Sequence, residues 1–192
     1  IEVSLNSISE YTSDLFLLTN TKSSNFENSK SENVSELSQL NDNQLQIEDE
    51  FYSMIRPKSS MKSDIRPISK LKNHGVDYIE LRSLDIDPFA SIGIEESTLS
   101  FLEAFVLYCA FSPSQKFSGD DYKVFKNNNH TVSTVGRMPG ICLHKDSKQI
   151  LLKDWATKIL EEMDPFFDIL SVSQEVRSKY LNSIQEPENT IS

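Results

Sequence analysis

Apolar residues at Leu5, Ile8, Tyr11, Leu15 and Leu18 recur at spacings of three and four. That spacing sets them on one helical face, so residues 1–18 are predicted to form a helical segment. The pattern then stops. Residues 19–44, TNTKSSNFENSKSENVSELSQLNDNQ, are rich in Ser, Asn and Glu and have little to bury, which reads as a polar linker or surface insertion. Leu45 and Ile47 alternate with polar neighbours, a short strand signal, and Pro57 is expected to end regular structure. A basic, polar stretch continues to Asn73, and His74-Gly75 turns the chain into VDYIELRSLDIDPF. In an extended chain Val76, Tyr78, Glu80 and Arg82 share one side, and Asp77, Ile79 and Leu81 the other. Ile79 and Leu81 are expected to face a core, which leaves Glu80 and Arg82 about 7 Å apart on the opposite face.

Residues 94–111, IEESTLSFLEAFVLYCAF, give the strongest helix pattern. Glu95 and Glu96 suit its positive N-terminal end, and Ser112-Pro113 stops it. Because Phe101, Leu102, Phe105 and Cys109 make it apolar on most sides, deep packing is expected. Gly136 to Gly140 reads as a turn. Leu151, Leu152, Trp155, Ile159 and Met163 mark a helix ended before Pro165, and Val172, Val176, Tyr180 and Ile184 mark another.

Composition narrows the possibilities. The 192 residues suffice for one domain or at most two small ones. A formal net charge of −10 disfavours phosphate backbones and anionic lipid, so neither nucleic acid nor a membrane is an expected partner. Two cysteines, Cys109 and Cys142, cannot make a disulfide framework, which favours a reducing, cytoplasmic compartment. No run reaches the ~20 apolar residues of a membrane span. The chain begins at Ile1 inside an amphipathic pattern and ends on EPENTIS without a helix stop, so it is expected to be a piece of something longer.

Two clusters carry candidate chemistry. Glu80 and Arg82 on one strand face read most simply as a solvated ion pair, worth little. The functional alternative is a carboxylate for Mg²⁺ and a guanidinium for a phosphoryl group in transfer. Tyr52, Arg56 and Lys58 read either as a part-buried tyrosine beside a basic turn or as an anion-facing edge with an aromatic wall. Cys142-x-His144 is too isolated for a zinc site, and neither a P-loop nor a dinucleotide fingerprint is present.

LQIEDEFYSMIRPK, then GVDYIELRSLDIDPFASIGIEESTLSFLEAF, then GRMPG, resemble the C-terminal half of the proteobacterial-type glutamate–cysteine ligases. The resemblance is strongest over residues 44–111. It implies an α+β, glutamine synthetase-like fold: a curved, largely antiparallel sheet packed with helices, present here as a partial domain, with residues 45–192 as the C-terminal portion of the catalytic domain. It also implies ATP-dependent joining of the glutamate γ-carboxylate to cysteine through an acyl phosphate, the first step of glutathione synthesis. On that likeness Glu80 matches a metal-binding carboxylate for Mg²⁺ (or Mn²⁺). Arg82 matches the arginine on the transferred phosphoryl group, and Tyr52 lines the cysteine pocket. Arg56 and Lys58 match the basic edge beside it. The implied partners are glutamate, cysteine, ATP and a missing N-terminal half that carries further acidic ligands. The alternatives are a non-catalytic remnant or partner-dependent half, inactive alone, and a ligase for another amine acceptor.

Overall fold

The computed structural model describes residues 2–24, 40–61 and 64–190. The chain divides into two compact units, Ile1–Leu84 and Asp85–Ser192. Both combine helices with a short antiparallel strand pair, which makes the chain α+β.

In the first unit, helix α1 runs from Ile8 to Asn20. Ser7 caps it, its side chain accepting from the Glu10 N–H at 3.1 Å. Tyr11 and Leu15 point inward and meet Val3, Leu45, Ile68 and Leu71 in one buried cluster. Leu45 is thus a core residue. It precedes a 3₁₀ turn, Glu48–Glu50, and not the strand expected at 45–47. The strand comes later, as β1 (Ile55–Lys58), and contains Pro57. A proline is tolerated there because a two-stranded sheet has only edge strands, where a missing N–H breaks no ladder. The basic stretch before Asn73 holds a helix that periodicity did not reveal, α2 (Pro67–His74). Proline starts it, the Glu48 carboxylate accepts from the Ile68 N–H at 2.7 Å, and Gly75 at φ +78° closes it. Strand β2 (Tyr78–Leu81) follows.

Most of the polar segment 19–44 lies outside the described residues. Its two described ends meet: Lys22 and Asn43 form an antiparallel bridge, and Lys22 Nζ lies 3.1 Å from the Asp42 carboxylate.

The second unit opens with α3 (Glu96–Phe111). Only Ala104 of this helix is buried, while Leu99 and Phe111 are 50% and 76% exposed. The deep packing expected from its sequence is not found within the unit, because one face alone meets neighbouring helices. That face packs against α5 (Leu152–Glu162), α6 (Asp164–Ile169) and α7 (Gln174–Gln185), around Leu160, Met163 and Phe167. Phe101 stacks on Tyr180 with ring centroids 3.9 Å apart. Helix α4 (Gly119–Val135) has weak apolar periodicity, and its start is written in a capping box between Ser118 and Asp121. Strands β3 (Cys142–Lys145) and β4 (Lys148–Leu151) pair through Asp146 and Ser147, both at positive φ, as a two-residue hairpin turn of this kind requires.

Phe167 is fully buried at the centre of the second core. Phe167→Ala is expected to lower unfolding free energy by about 3–5 kcal/mol in urea titration, since the void beneath α3 cannot be refilled by neighbours already in contact.

Candidate functional site

The register of β1 on β2 decides what meets what. Arg56 lies opposite Glu80, Lys58 opposite Tyr78, and Pro57 opposite Ile79. The ladder continues at both ends, where the Asp77 N–H donates to Lys58 O at 2.9 Å and the Arg82 N–H donates to Met54 O at 2.8 Å. Directly opposed residues share a face. Arg56, Lys58, Tyr78, Glu80 and, one step on, Arg82 therefore project from one side of the hairpin.

On that side Glu80 is the hub. Its Oε2 lies 3.5 Å from Lys58 Nζ and 4.0 Å from Arg82 Nη1. Arg82 in turn rests on the Tyr52 ring, its guanidinium carbon 4.3 Å from the centroid. Four of the five residues singled out from sequence thus converge: Tyr52, Lys58, Glu80 and Arg82. The cluster is open, with Tyr52 71% exposed, yet Glu80 Oε2 itself is shielded from solvent and lacks a hydrogen-bond partner. The two cations beside it, Lys58 and Arg82, offset its charge without a close hydrogen bond.

Arg56 goes elsewhere. It is 8% exposed and lies close to Tyr11, which is 3% exposed. Burial pushes the Tyr11 phenol up, and the nearby Arg56 charge and hydrogen bond partly offset that rise. The structure does not bring Arg56 into the open cluster; it ties β1 to α1 instead.

A single carboxylate does not hold a divalent hard cation, which takes six or more oxygen ligands in all. Among the described residues no group of three or more His, Cys, Asp or Glu converges on a common point. The residues present therefore do not by themselves fit a Mg²⁺ site.

Sequence reasoning missed two supports of the cluster. Tyr11 was legible only as a member of a helical face. Asp77, beside the strand, accepts from the Ser60 N–H at 2.7 Å, the Ser60 hydroxyl at 2.8 Å and the Ser59 hydroxyl at 3.1 Å. The Ser60 N–H, more than the two hydroxyls, holds its carboxyl below the usual aspartate range. No spacing rule would have paired residues 17 and 18 positions apart.

The hairpin thus presents one carboxylate and two cations on one face, with an aromatic ring beside them. The family described as glutamate-cysteine ligase matches residues 1–132. The glutamate–cysteine ligase of Pseudomonas syringae pv. syringae is 42% identical over 146 residues, covering 76% of this chain and 27% of that protein. That of Shewanella oneidensis is 35% identical over 196 residues, covering 100% of this chain and 38% of that protein. A crystal structure of the Francisella tularensis glutamate–cysteine ligase in complex with AMP superposes with a TM-score of 0.88 at 32% identity, over 98% of this chain and 39% of that one. A bifunctional glutathione synthetase from Pasteurella multocida shares the fold, with a TM-score of 0.65 at 19% identity over 99% of this chain and 21% of that one. The chain belongs to the glutamate–cysteine ligase family. It spans about a quarter to two-fifths of the length of these ligases.

Two outcomes follow from the geometry. Arg56→Ala is expected to cost about 1–3 kcal/mol in urea unfolding, because it strands the Tyr11 hydroxyl in the core; Tyr11→Phe in the Arg56→Ala background should add little. Asp77 has a native pKa below its unfolded one, so its stabilisation is present above the ordinary aspartate range and is lost as pH falls through the depressed native value. The unfolding midpoint of Asp77→Asn should accordingly fall less steeply than the parent's as pH is lowered from 5 to 2.

Proposed function

We propose that this chain is the part of an ATP-dependent glutamate–cysteine ligase that supplies the phosphoryl-facing strand. The observation that carries this reading is the convergence of Glu80, Arg82, Lys58 and Tyr52 on one hairpin face in a member of this family. AMP bound to the Francisella relative supports ATP as the co-substrate.

In the reaction we assign, a glutamate γ-carboxylate oxygen attacks the γ-phosphorus of ATP, and ADP leaves. The free cysteine amine then attacks the acyl carbon; the C–N bond forms, the C–O bond to the bridging oxygen breaks, inorganic phosphate leaves with that oxygen, and the amine proton is released to it or to solvent. Arg82 binds the oxygens of the moving phosphoryl group, where a fixed guanidinium neutralises charge that is spread over them in the transition state. The Tyr52 ring under Arg82 limits the positions that guanidinium can take, and the same ring forms one wall for cysteine. Lys58 faces substrate anions from the neighbouring strand. Arg56, beside Tyr11, serves this edge by anchoring β1.

Glu80 would supply one oxygen ligand to Mg²⁺ (or Mn²⁺), which would neutralise charge on the phosphoryl oxygens. The remaining ligands have to come from the family's residues outside this chain, as do the strands that would join β1–β2 into a curved, largely antiparallel, glutamine synthetase-like sheet. Catalysis is accordingly a property of the assembled protein, and this chain alone is inactive. The cytoplasm suits the assignment, since it holds ATP and keeps thiol substrates reduced.

The test is turnover. This chain, co-produced with the part of the Francisella enzyme outside the matched 39%, should form γ-glutamylcysteine from glutamate, cysteine and ATP. Arg82→Ala should lower kcat by ~10²–10³, the usual cost of one transition-state charge contact. Turnover indifferent to Arg82→Ala, or turnover by the isolated chain, would overturn the assignment.

A further inference from the structure

One carboxylate closes the excursion between the two strands. Strand β1 ends at Lys58 and β2 starts at Tyr78, with α2 between them. At the foot of that excursion the Asp77 N–H donates to Lys58 O at 2.9 Å. The Asp77 side chain reaches further, past Lys58. Its Oδ2 accepts from the Ser60 N–H at 2.7 Å, the Ser60 hydroxyl at 2.8 Å and the Ser59 hydroxyl at 3.1 Å. One aspartate thus grips the chain at Lys58 itself and at the two residues after it. The Ser60 N–H first, then the two hydroxyls and the nearby His74 charge, hold the carboxyl below the usual aspartate range, so it is an anion at neutral pH.

Lys58 depends on that grip. It is the last residue of a four-residue strand, and strand ends fray because no further pairing holds them. Pro57 before it has no N–H to give. An ammonium on a flexible four-carbon stem is placed only as well as the backbone beneath it. Lys58 Nζ nevertheless stands 3.5 Å from Glu80 Oε2. On one side of Lys58 the pairing of Arg56 with Glu80 sets the backbone, and on the other side Asp77 does.

We propose that Asp77 is a positioning residue: by clipping Ser59 and Ser60 to the start of β2, it fixes the backbone of Lys58 and so holds the Lys58 ammonium beside Glu80. Asp77 alternates away from Glu80 and Arg82 along the strand, so it acts through Lys58 and not on substrate. The proposal rests on the functional reading above for what Lys58 faces, an anionic substrate; the placement of Lys58 does not depend on that reading. An ammonium that meets a carboxylate unaltered by the reaction contributes binding alone, so its misplacement raises KM and leaves kcat as it was.

Two measurements test this. In the chain alone, amide exchange at Ser60 is followed by NMR, and acetylation of Lys58 by acetic anhydride is followed by mass spectrometry, with exposed Lys153 as internal standard. Asp77→Ala should speed Ser60 exchange at least about tenfold, and should raise the Lys58 acetylation rate while that of Lys153 holds. In the complex with the rest of the Francisella enzyme, KM is measured for glutamate and for cysteine, and Lys58→Ala shows which of them Lys58 meets. Asp77→Ala should raise that KM about tenfold at unchanged kcat, and should raise it no further in the Lys58→Ala background. Asp77→Asn, which keeps an acceptor oxygen for the Ser60 N–H, should recover most of the affinity. Should Asp77→Ala melt early, Ser59→Ala with Ser60→Ala removes two of the three bonds and carries the same test with a smaller rise. Parent rates of Ser60 exchange and Lys58 acetylation in Asp77→Ala would overturn the proposal. So would a KM effect that persists in full without Lys58, since a merely structural role is indifferent to that side chain. A parent complex that makes no γ-glutamylcysteine, or one whose KM values ignore Lys58→Ala, would overturn the functional reading instead, and exchange and acetylation would still decide the clip.

Discussion

The structure turns on the register between two four-residue strands. With Arg56 opposite Glu80, one face of the hairpin is charged and the other aliphatic. Strand side chains alternate with a period of two, so a slip of one residue would send Glu80 and Arg82 to the aliphatic face and Ile79 into the charged one. So short a ladder fixes its own register weakly, and contacts outside it add to it. Arg56 is buried beside Tyr11 of α1, and Asp77 is bonded to Ser59 and Ser60. Each acts at a different point along the hairpin.

The electrostatics of the open face follow from that geometry. Glu80 sits between Lys58 and Arg82 with side chains 30–39% exposed, so each ion pair contributes little to stability. What the arrangement supplies is position. One carboxylate oxygen is held out of water without a hydrogen bond, and one guanidinium is parked on an aromatic ring. Groups kept in place before a reacting charge arrives need not reorganise when it does, which is the physical basis of the role we propose for them.

Much of this was legible in the residues. The alternation through VDYIELR is strong enough to assign Glu80 and Arg82 to one side, and the long motifs around it carry the family. The helices at 96–111, 152–162 and 174–185 follow from apolar spacing. Other elements were hidden for identifiable reasons. Helix α2 is short and rich in lysine, and it depends on a proline start and on the distant Glu48 carboxylate for its first turn. Helix α4 has a capping box but no continuous apolar stripe. The alternation at Leu45 and Ile47 imitates a strand because a core residue beside a turn produces the same two-residue rhythm.

The sequence by itself determined the periodicities and the residue types. It set which side chains share a strand face, where helices can start and stop, and the family motif that contains Tyr52, Glu80 and Arg82. Tertiary structure alone decided that Arg56 turns inward to Tyr11 while Lys58, two residues on, stays with Glu80. It also placed Asp77 within reach of Ser59 and Ser60. Periodicity reports which residues point the same way, a local property of backbone geometry. What lies in that direction depends on chain segments far away in sequence, and no local pattern encodes it.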